Sequence, residues 1–182
     1  MSRTVLLTGA TGYVGGRLLH RLEERGDTIT CLARTPDNLE PRCKPTTRIV
    51  KGDVISGEGL DEAMQGIDVA YFLVHSMGTH GYHKSERQAA RNFAAAAERA
   101  GVKRIIYLGA LGRGKYISRH LESRQEVGRL LRSGPVPVIE FRSSVIIGSG
   151  SLSFEMVRAL VDRLPVMVWP KWVDTPTQPI GI

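Results

Sequence analysis

Gly9, Gly12 and Gly15 recur at a spacing of three, directly behind the apolar run Thr4-Val5-Leu6-Leu7-Thr8 and ahead of Arg17-Leu18-Leu19-His20-Arg21-Leu22, which has helical periodicity. A short buried strand must therefore turn sharply and enter a helix at once. The first glycine permits the tight turn, the second lets backbone amides approach a phosphate, and the third lets helix and strand pack closely. The free N–H groups and the positive end of the helix dipole then face an anion. Such a turn points to a dinucleotide, with Gly9, Thr11, Gly12, Tyr13 and Val14 as candidate contacts.

The rest of the chain is compatible with a globular domain around that turn. At 182 residues it can bury one sizeable core, and 42% apolar with 24% charged residues suggests neither disorder nor a membrane class. The net charge is +7, but Lys and Arg are scattered with no run of five, so an anionic cofactor is expected and a nucleic-acid partner is not. Cys31 and Cys43 follow no motif spacing, which predicts two reduced thiols rather than a disulfide or zinc site. The glycine motif begins at residue 9, leaving no room for a signal peptide, and no apolar run nears the ~18 residues of a membrane span. A cytoplasmic protein with no membrane partner is the expectation.

Strand and helix signals alternate along the chain. Strands are predicted at 28–34, 48–54, 69–74, 104–108 and 136–141, with helices near 60–65, 84–100 and 118–132. The run Val69-Ala70-Tyr71-Phe72-Leu73-Val74 is nearly continuously apolar, as in a strand covered on both faces. Alternation of this kind implies an α/β fold, a doubly wound parallel sheet. Further on, 153–164 reads as a helix with Phe154, Val157, Leu160, Val161 and Leu164 on one face, and 166–169 as strand-like. The chain closes on an apolar 177–182.

Dinucleotide sites that prefer NAD place a carboxylate at the end of the second strand, to bind the ribose 2′-hydroxyl. Here Arg34 stands there, and a guanidinium suits a 2′-phosphate, which favours NADP with NAD possible; the alternative is an arginine stacked on adenine or turned to solvent. Asp53, followed by Val54, closes the third strand, where it either accepts from the adenine amino group or caps its own turn.

The chain resembles the short-chain dehydrogenase/reductase superfamily, in its extended or atypical branch of epimerase-like and NmrA-like proteins. The residues that carry the likeness are the 8–15 turn, Gly52-Asp53-Val54 and the segment from Arg142 to Gly148. More specific are Tyr107-Leu108-Gly109, His120 to Gly128, and Gly150 to Met156, which resemble a bacterial group described as NAD(P)-binding or nucleoside-sugar-epimerase-like. The resemblance covers essentially the whole chain and implies a Rossmann-type NAD(P)-binding domain over 1–150. It also implies that 151–182 begins a C-terminal substrate region of a longer parent.

The departures bear on chemistry. Where the superfamily has a catalytic Ser or Thr after the fifth core strand, this chain has Gly109-Ala110; where it has Tyr-x-x-x-Lys, this chain has His120 and Arg124. His120 titrates near neutrality and can act as acid or base, so it is the favoured proton donor. Arg124 cannot lose its proton but can hold ribose hydroxyls. The likeness further implies backbone contacts to the nicotinamide at Ser143, Ser144 and Val145. Val74 and His75 end the fourth strand at the same carboxyl edge, where open α/β sheets place ligands. His75, His80 and His83 show no carboxylate or cysteine partner in sequence, so no metal site is expected. Two functions stay open: a reductase or epimerase-like enzyme acting on a small substrate, or a non-catalytic redox sensor or scaffold of the NmrA-like kind. A homodimer through helices 84–100 and 118–132, with Ala89, Ala90 and Ala94 allowing close approach, is a further expectation.

Overall fold

The computed structural model describes residues 2–75, 82–112, 118–163 and 178–182. The strand-like reading of 166–169 and His80 lie outside the described residues. The element order is β1 Thr4–Thr8, α1 Tyr13–Arg25, β2 Thr28–Ala33, β3 Arg48–Lys51, α2 Leu60–Ala63, β4 Val69–Phe72, α3 Tyr82–Arg99, β5 Arg104–Ala110, α4 Arg119–Arg132 and β6 Val138–Ser143. It continues with β7 Ile146–Ile147, α5 Leu152–Arg163 and β8 Ile180–Gly181. A six-stranded sheet in the order β3-β2-β1-β4-β5-β6 is parallel throughout. This is the doubly wound Rossmann-type architecture. No helix among the described residues is long and apolar enough to cross a membrane.

Both faces of the central strands are covered, which explains why their sequences do not alternate polar with apolar. On one face Val5 and Leu7 of β1 meet Leu19 and Leu22 of α1, together with Ile29, Cys31 and Leu39. On the other, Leu6 joins Phe72, Phe93, Ile105 and Tyr107 in the larger core, with Met64, Val127 and Leu131. Phe72 and Phe93 meet edge to face at 4.9 Å between centroids, a geometry that aromatic quadrupoles favour. Strand β1 pairs with β2 on one side and with β4 on the other. The strand order therefore reverses at β1/β4, and a crevice opens at the carboxyl ends of these strands.

Several boundaries differ from the sequence expectation for identifiable reasons. Strand β3 stops at Lys51 because Gly52 turns against the next loop; a Cβ there would lie 2.2 Å from the Glu58 carbonyl oxygen. Strand β6 begins at Val138 rather than 136, just past Pro135 and Pro137, which lack a donor for the ladder. Strand β5 runs on to Ala110, so Gly109 and Ala110 lie inside the ladder, opposite Arg142 and Ser143. Ala89 and Ala90 are taken up by the core, with Ala94 packed at its margin. Helix α5 buries no residue, and Leu152, Met156, Val157, Leu160 and Val161 are all exposed. The terminal apolar segment does have a place: Ile180–Gly181 pairs in parallel with Ile146–Ile147.

Candidate functional site

The crevice is a cleft of about 900 Å³ whose lining runs from Gly9 through Gly15, past Arg34, Asp53 and Val54, to Val74, His75, Arg124, Ser144 and Val145. One half of it is made by the glycine turn. Gly9 has φ +78°, and a Cβ there would sit 2.7 Å from the Leu73 carbonyl oxygen. At Gly15 a Cβ would come 2.1 Å from the Gly9 oxygen, so helix α1 can lie this close to β1 only with glycine there. Gly12 is different: its φ of −77° suits any residue, and a Cβ would meet only the Gly9 oxygen, at 3.2 Å. As N-cap of α1 it offers no side-chain acceptor, and no acidic residue occupies the first turn. The helix therefore presents first-turn amides to the cleft without an internal cap, the condition for anion binding. These residues fit the pyrophosphate of a dinucleotide.

Around that turn the side chains divide by role. Arg34 is exposed at the end of β2, where Thr35 and Asn38 also line the cleft. Asp53 Oδ1 accepts from the Ile55 amide at 2.9 Å, so one carboxylate oxygen caps its own turn. The Tyr13 ring lies under the Arg17 guanidinium at 4.9 Å, and its hydroxyl is buried against Gly148, where a Cβ would approach to 2.3 Å. Arg17 also donates to the Ser149 carbonyl at 3.0 Å, so helix α1 holds the segment after β7. Ser144 donates through Oγ to the Gln178 carbonyl and accepts from the Gln178 amide at 3.2 Å, tying the terminal segment to the cleft rim.

The other half is built from side chains of α3, α4 and the β4 end. Arg124 is 8% exposed, donates to the Leu108 carbonyl and places its guanidinium over the Tyr107 ring at 5.0 Å. Tyr107 returns a hydrogen bond from its hydroxyl to the Arg124 carbonyl at 2.8 Å, and burial pushes its phenol up to about 12. Tyr107 is thus a support for α4. His75 lines the cleft, and its Nδ1 lies 2.8 Å from Glu86 Oε1. His120, one helical turn before Arg124, does not line the cleft; its ring stands 4.8 Å from that of His75. Burial lowers the His120 pKa, helped by the His75 and Arg124 charges, against an opposing pull from Glu86. At neutral pH the ring is therefore mostly uncharged, which suits an acceptor of protons better than a donor.

Two other sequence-selected positions lie off the cleft lining. Gly109 is buried in β5, and a Cβ there would meet Glu140 Oε1 at 2.4 Å; Gly128 on α4 makes room for the same carboxylate. Glu140 is ion-paired to Arg132 and Arg142. Ser143 ends β6, its carbonyl accepting from the Leu111 amide at 2.9 Å. Sequence reasoning missed Ser85, which lines the cleft, and missed Glu86 and Ser123 behind His75. No local motif marks them; Glu86 lies eleven residues beyond His75 and Ser123 a further 37, joined only by packing of α3 on α4. Among the described residues no group of three or more His, Cys, Asp or Glu is placed to hold a metal ion.

Residues 9–133 match the model of a family described as NAD(P)H-binding. The chain belongs to this family. Its relatives lie in the NAD-dependent epimerase/dehydrogenase and NmrA-like group of extended short-chain dehydrogenases/reductases. A (4-alkanoyl-5-oxo-2,5-dihydrofuran-3-yl)methyl phosphate reductase of Streptomyces griseus is 31% identical over 173 residues, spanning 89% of this chain and 57% of that protein. An NmrA-like family domain-containing protein of Dictyostelium discoideum is 29% identical over 159 residues, spanning 81% of this chain and 51% of that protein. The chain thus spans about half the length of these relatives.

Among solved structures, Bordetella bronchiseptica WbmH in complex with NAD+ superposes with a TM-score of 0.71 at 17% identity, covering 89% of this chain and 64% of that one. The Citrobacter sp. triphenylmethane reductase complexed with NADP(H) gives 0.70 at 22%, covering 89% and 55%. These two likenesses speak to the fold, and they carry different dinucleotides.

Proposed function

We propose that this NAD(P)H-binding protein is an oxidoreductase that prefers NADP and acts on a small carbonyl or alcohol substrate. The observation that carries the reading is that one cleft is lined both by an anion cradle at Gly9–Gly15 and, on the β4/β5 side, by His75 and Arg124. A bound nicotinamide supplies or accepts hydride. The chain's own residues do the rest. Arg34 faces the 2′-phosphate, and the first-turn amides of α1 hold the pyrophosphate. Arg124, its guanidinium fixed by Leu108 and Tyr107, donates to ribose hydroxyls. His75 and His120 form a two-imidazole unit that moves the proton accompanying hydride transfer. The reductase named among the relatives supports the reaction class.

A non-catalytic sensor is the second reading, favoured by one observation: at the position of the superfamily serine, Gly109 presents no hydroxyl, and Glu140 fills the space beside it. Calorimetric titration with NADPH and NADH, followed by NADPH oxidation with a panel of aldehydes, ketones and quinones, separates the two. Tight NADPH binding with turnover supports the enzyme. Tight binding with no turnover on any carbonyl leaves the sensor.

A further inference from the structure

Glu86 is 5% exposed, and the glycine turn and Arg34 have no need of it. Burying a carboxylate costs several kcal/mol unless its oxygens are partnered. Here both are: Oε2 accepts from Ser123 Oγ at 2.5 Å, and Oε1 lies 2.8 Å from His75 Nδ1. Ser123 is itself 1% exposed. The line Ser123–Glu86–His75 thus runs from α4 through α3 to the end of β4, and only its last member lines the cleft. An ionised carboxylate can only accept hydrogen bonds, so the network assigns the Nδ1 proton to His75 and leaves Nε2 for a ligand.

We propose that His75 exchanges a proton with the substrate oxygen through Nε2, and that Glu86, clamped by Ser123, is the positioning residue that fixes its tautomer and ring plane. This inference rests on the oxidoreductase reading. When the substrate is reduced, the Nε2–H bond of doubly protonated His75 breaks and an O–H bond forms on the oxygen of the reacting carbon. The Nε2 pair stays on a neutral ring whose Nδ1–H remains on Glu86. In the reverse direction Nε2 takes the hydroxyl proton. His120, with its ring 4.8 Å from His75, is the second imidazole through which that proton is exchanged with solvent.

The test uses protein labelled with ¹⁵N-histidine, the variants Glu86→Met and Ser123→Ala, and NADPH with benzaldehyde and 9,10-phenanthrenequinone as carbonyl probes. Glu86→Met removes the acceptor without leaving a buried charge, and thermal melts check that both variants fold. We expect His75 in its Nδ1–H tautomer in the wild type, reverting to the ordinary Nε2–H form in Glu86→Met. In that variant kcat falls roughly 10- to 100-fold, the size of effect seen when a group that orients a metal-bound histidine is lost, while NADPH affinity holds within about twofold. Ser123→Ala gives a smaller fall in the same direction. An Nε2–H tautomer in the wild type, or turnover unchanged in Glu86→Met, overturns the inference and leaves the oxidoreductase reading standing. Wild type that binds no NADPH, or reduces neither probe nor any other carbonyl of the panel, overturns that reading and the proton-transfer role with it.

Discussion

The two ends of the cleft are made of different material. At the phosphate end the work is done by backbone: Gly9 turns at φ +78°, Gly15 lets α1 approach β1, and uncapped amides face outward. Around His75 it is done by side chains from three elements, with Glu86, Ser123 and Arg124 all buried. A backbone site is specified locally, because a conformation or a close approach demands glycine at a fixed position. A side-chain site is specified by the fold as a whole, and its parts are exchangeable so long as charge and hydrogen bonding balance. That difference lets a glycine turn of the dinucleotide-binding kind coexist with His120 and Arg124, where the superfamily resemblance leads one to expect Tyr and Lys.

The largest effects should come from breaking the phosphate end, and they should split. Gly15→Val forces a branched side chain to within 2.1 Å of the Gly9 oxygen, so both fold and binding suffer. Overpacking of this kind costs roughly 1–3 kcal/mol or more. Gly12→Val has an allowed φ and a single contact at 3.2 Å, so the melting temperature should change little while NADPH affinity falls at least about 100-fold. Melts and calorimetry on the pair read the two consequences separately. If Gly12→Val still binds NADPH normally, the phosphate site lies elsewhere.

The same contrast governs what the sequence disclosed. The alternation of strands and helices, the sheet's two covered faces, the tight turn at Gly9 and the close packing at Gly15 are legible, since periodicity and glycine spacing are local properties. Strand ends in a parallel sheet share one edge, so Arg34, Asp53, Val54, Val74 and His75 can be grouped from sequence, and all five line the cleft. Glu86 was not found: in sequence it is one polar residue among many on a helix, and only packing reveals it as the buried partner of His75. Gly109 stands where the superfamily resemblance leads one to expect a hydroxyl residue, and in the structure it makes room for Glu140, a packing need that sequence alone does not show. The apolar stripe on α5 is legible as one face of a helix, and in the structure Val157, Leu160 and Val161 of that stripe are exposed.

Within the proton-transfer end, the effects should rank by access to the cleft. His75→Gln removes the imidazole that lines it, and turnover with a carbonyl probe should fall roughly 10²- to 10⁴-fold, the range for a lost general acid–base. His120→Phe keeps a ring beside His75 without the nitrogen, and a fall of about tenfold is expected because solvent replaces it slowly as a proton relay. Steady-state kinetics with NADPH saturating gives both numbers. The reverse ranking would make His120 the group that meets the substrate.

Arg34 should affect selectivity rather than turnover. Losing one guanidinium–phosphate contact is worth about 1.4 kcal/mol, or tenfold in affinity. Arg34→Asp should therefore erase an NADPH preference of that size and improve NADH, since a carboxylate there suits the ribose 2′-hydroxyl. Titration of wild type with both cofactors decides it. Equal affinities in the wild type would mean that Arg34 stacks or faces solvent.

The smallest effect is on stability, and its sign follows from His120. Folding lowers this pKa below its ordinary 6.5, chiefly by burial, with the charges of His75, Arg124 and His83 adding to it and Glu86 opposing. The unfolded chain therefore takes up the proton at a higher pH than the folded one. His120 contributes its full share of stability above about 6.5, and that share is lost as pH falls from there through the lower folded value. Denaturant midpoints measured between pH 8 and 5 should thus decline on the acid side, and the decline should be shallower in His120→Gln. Because the ring is only half-buried, solvent screening keeps the difference small. A wild-type curve that instead rises on acidification relative to His120→Gln would mean that the charged ring is the one the fold prefers. It would also restore His120 as a proton donor at neutral pH.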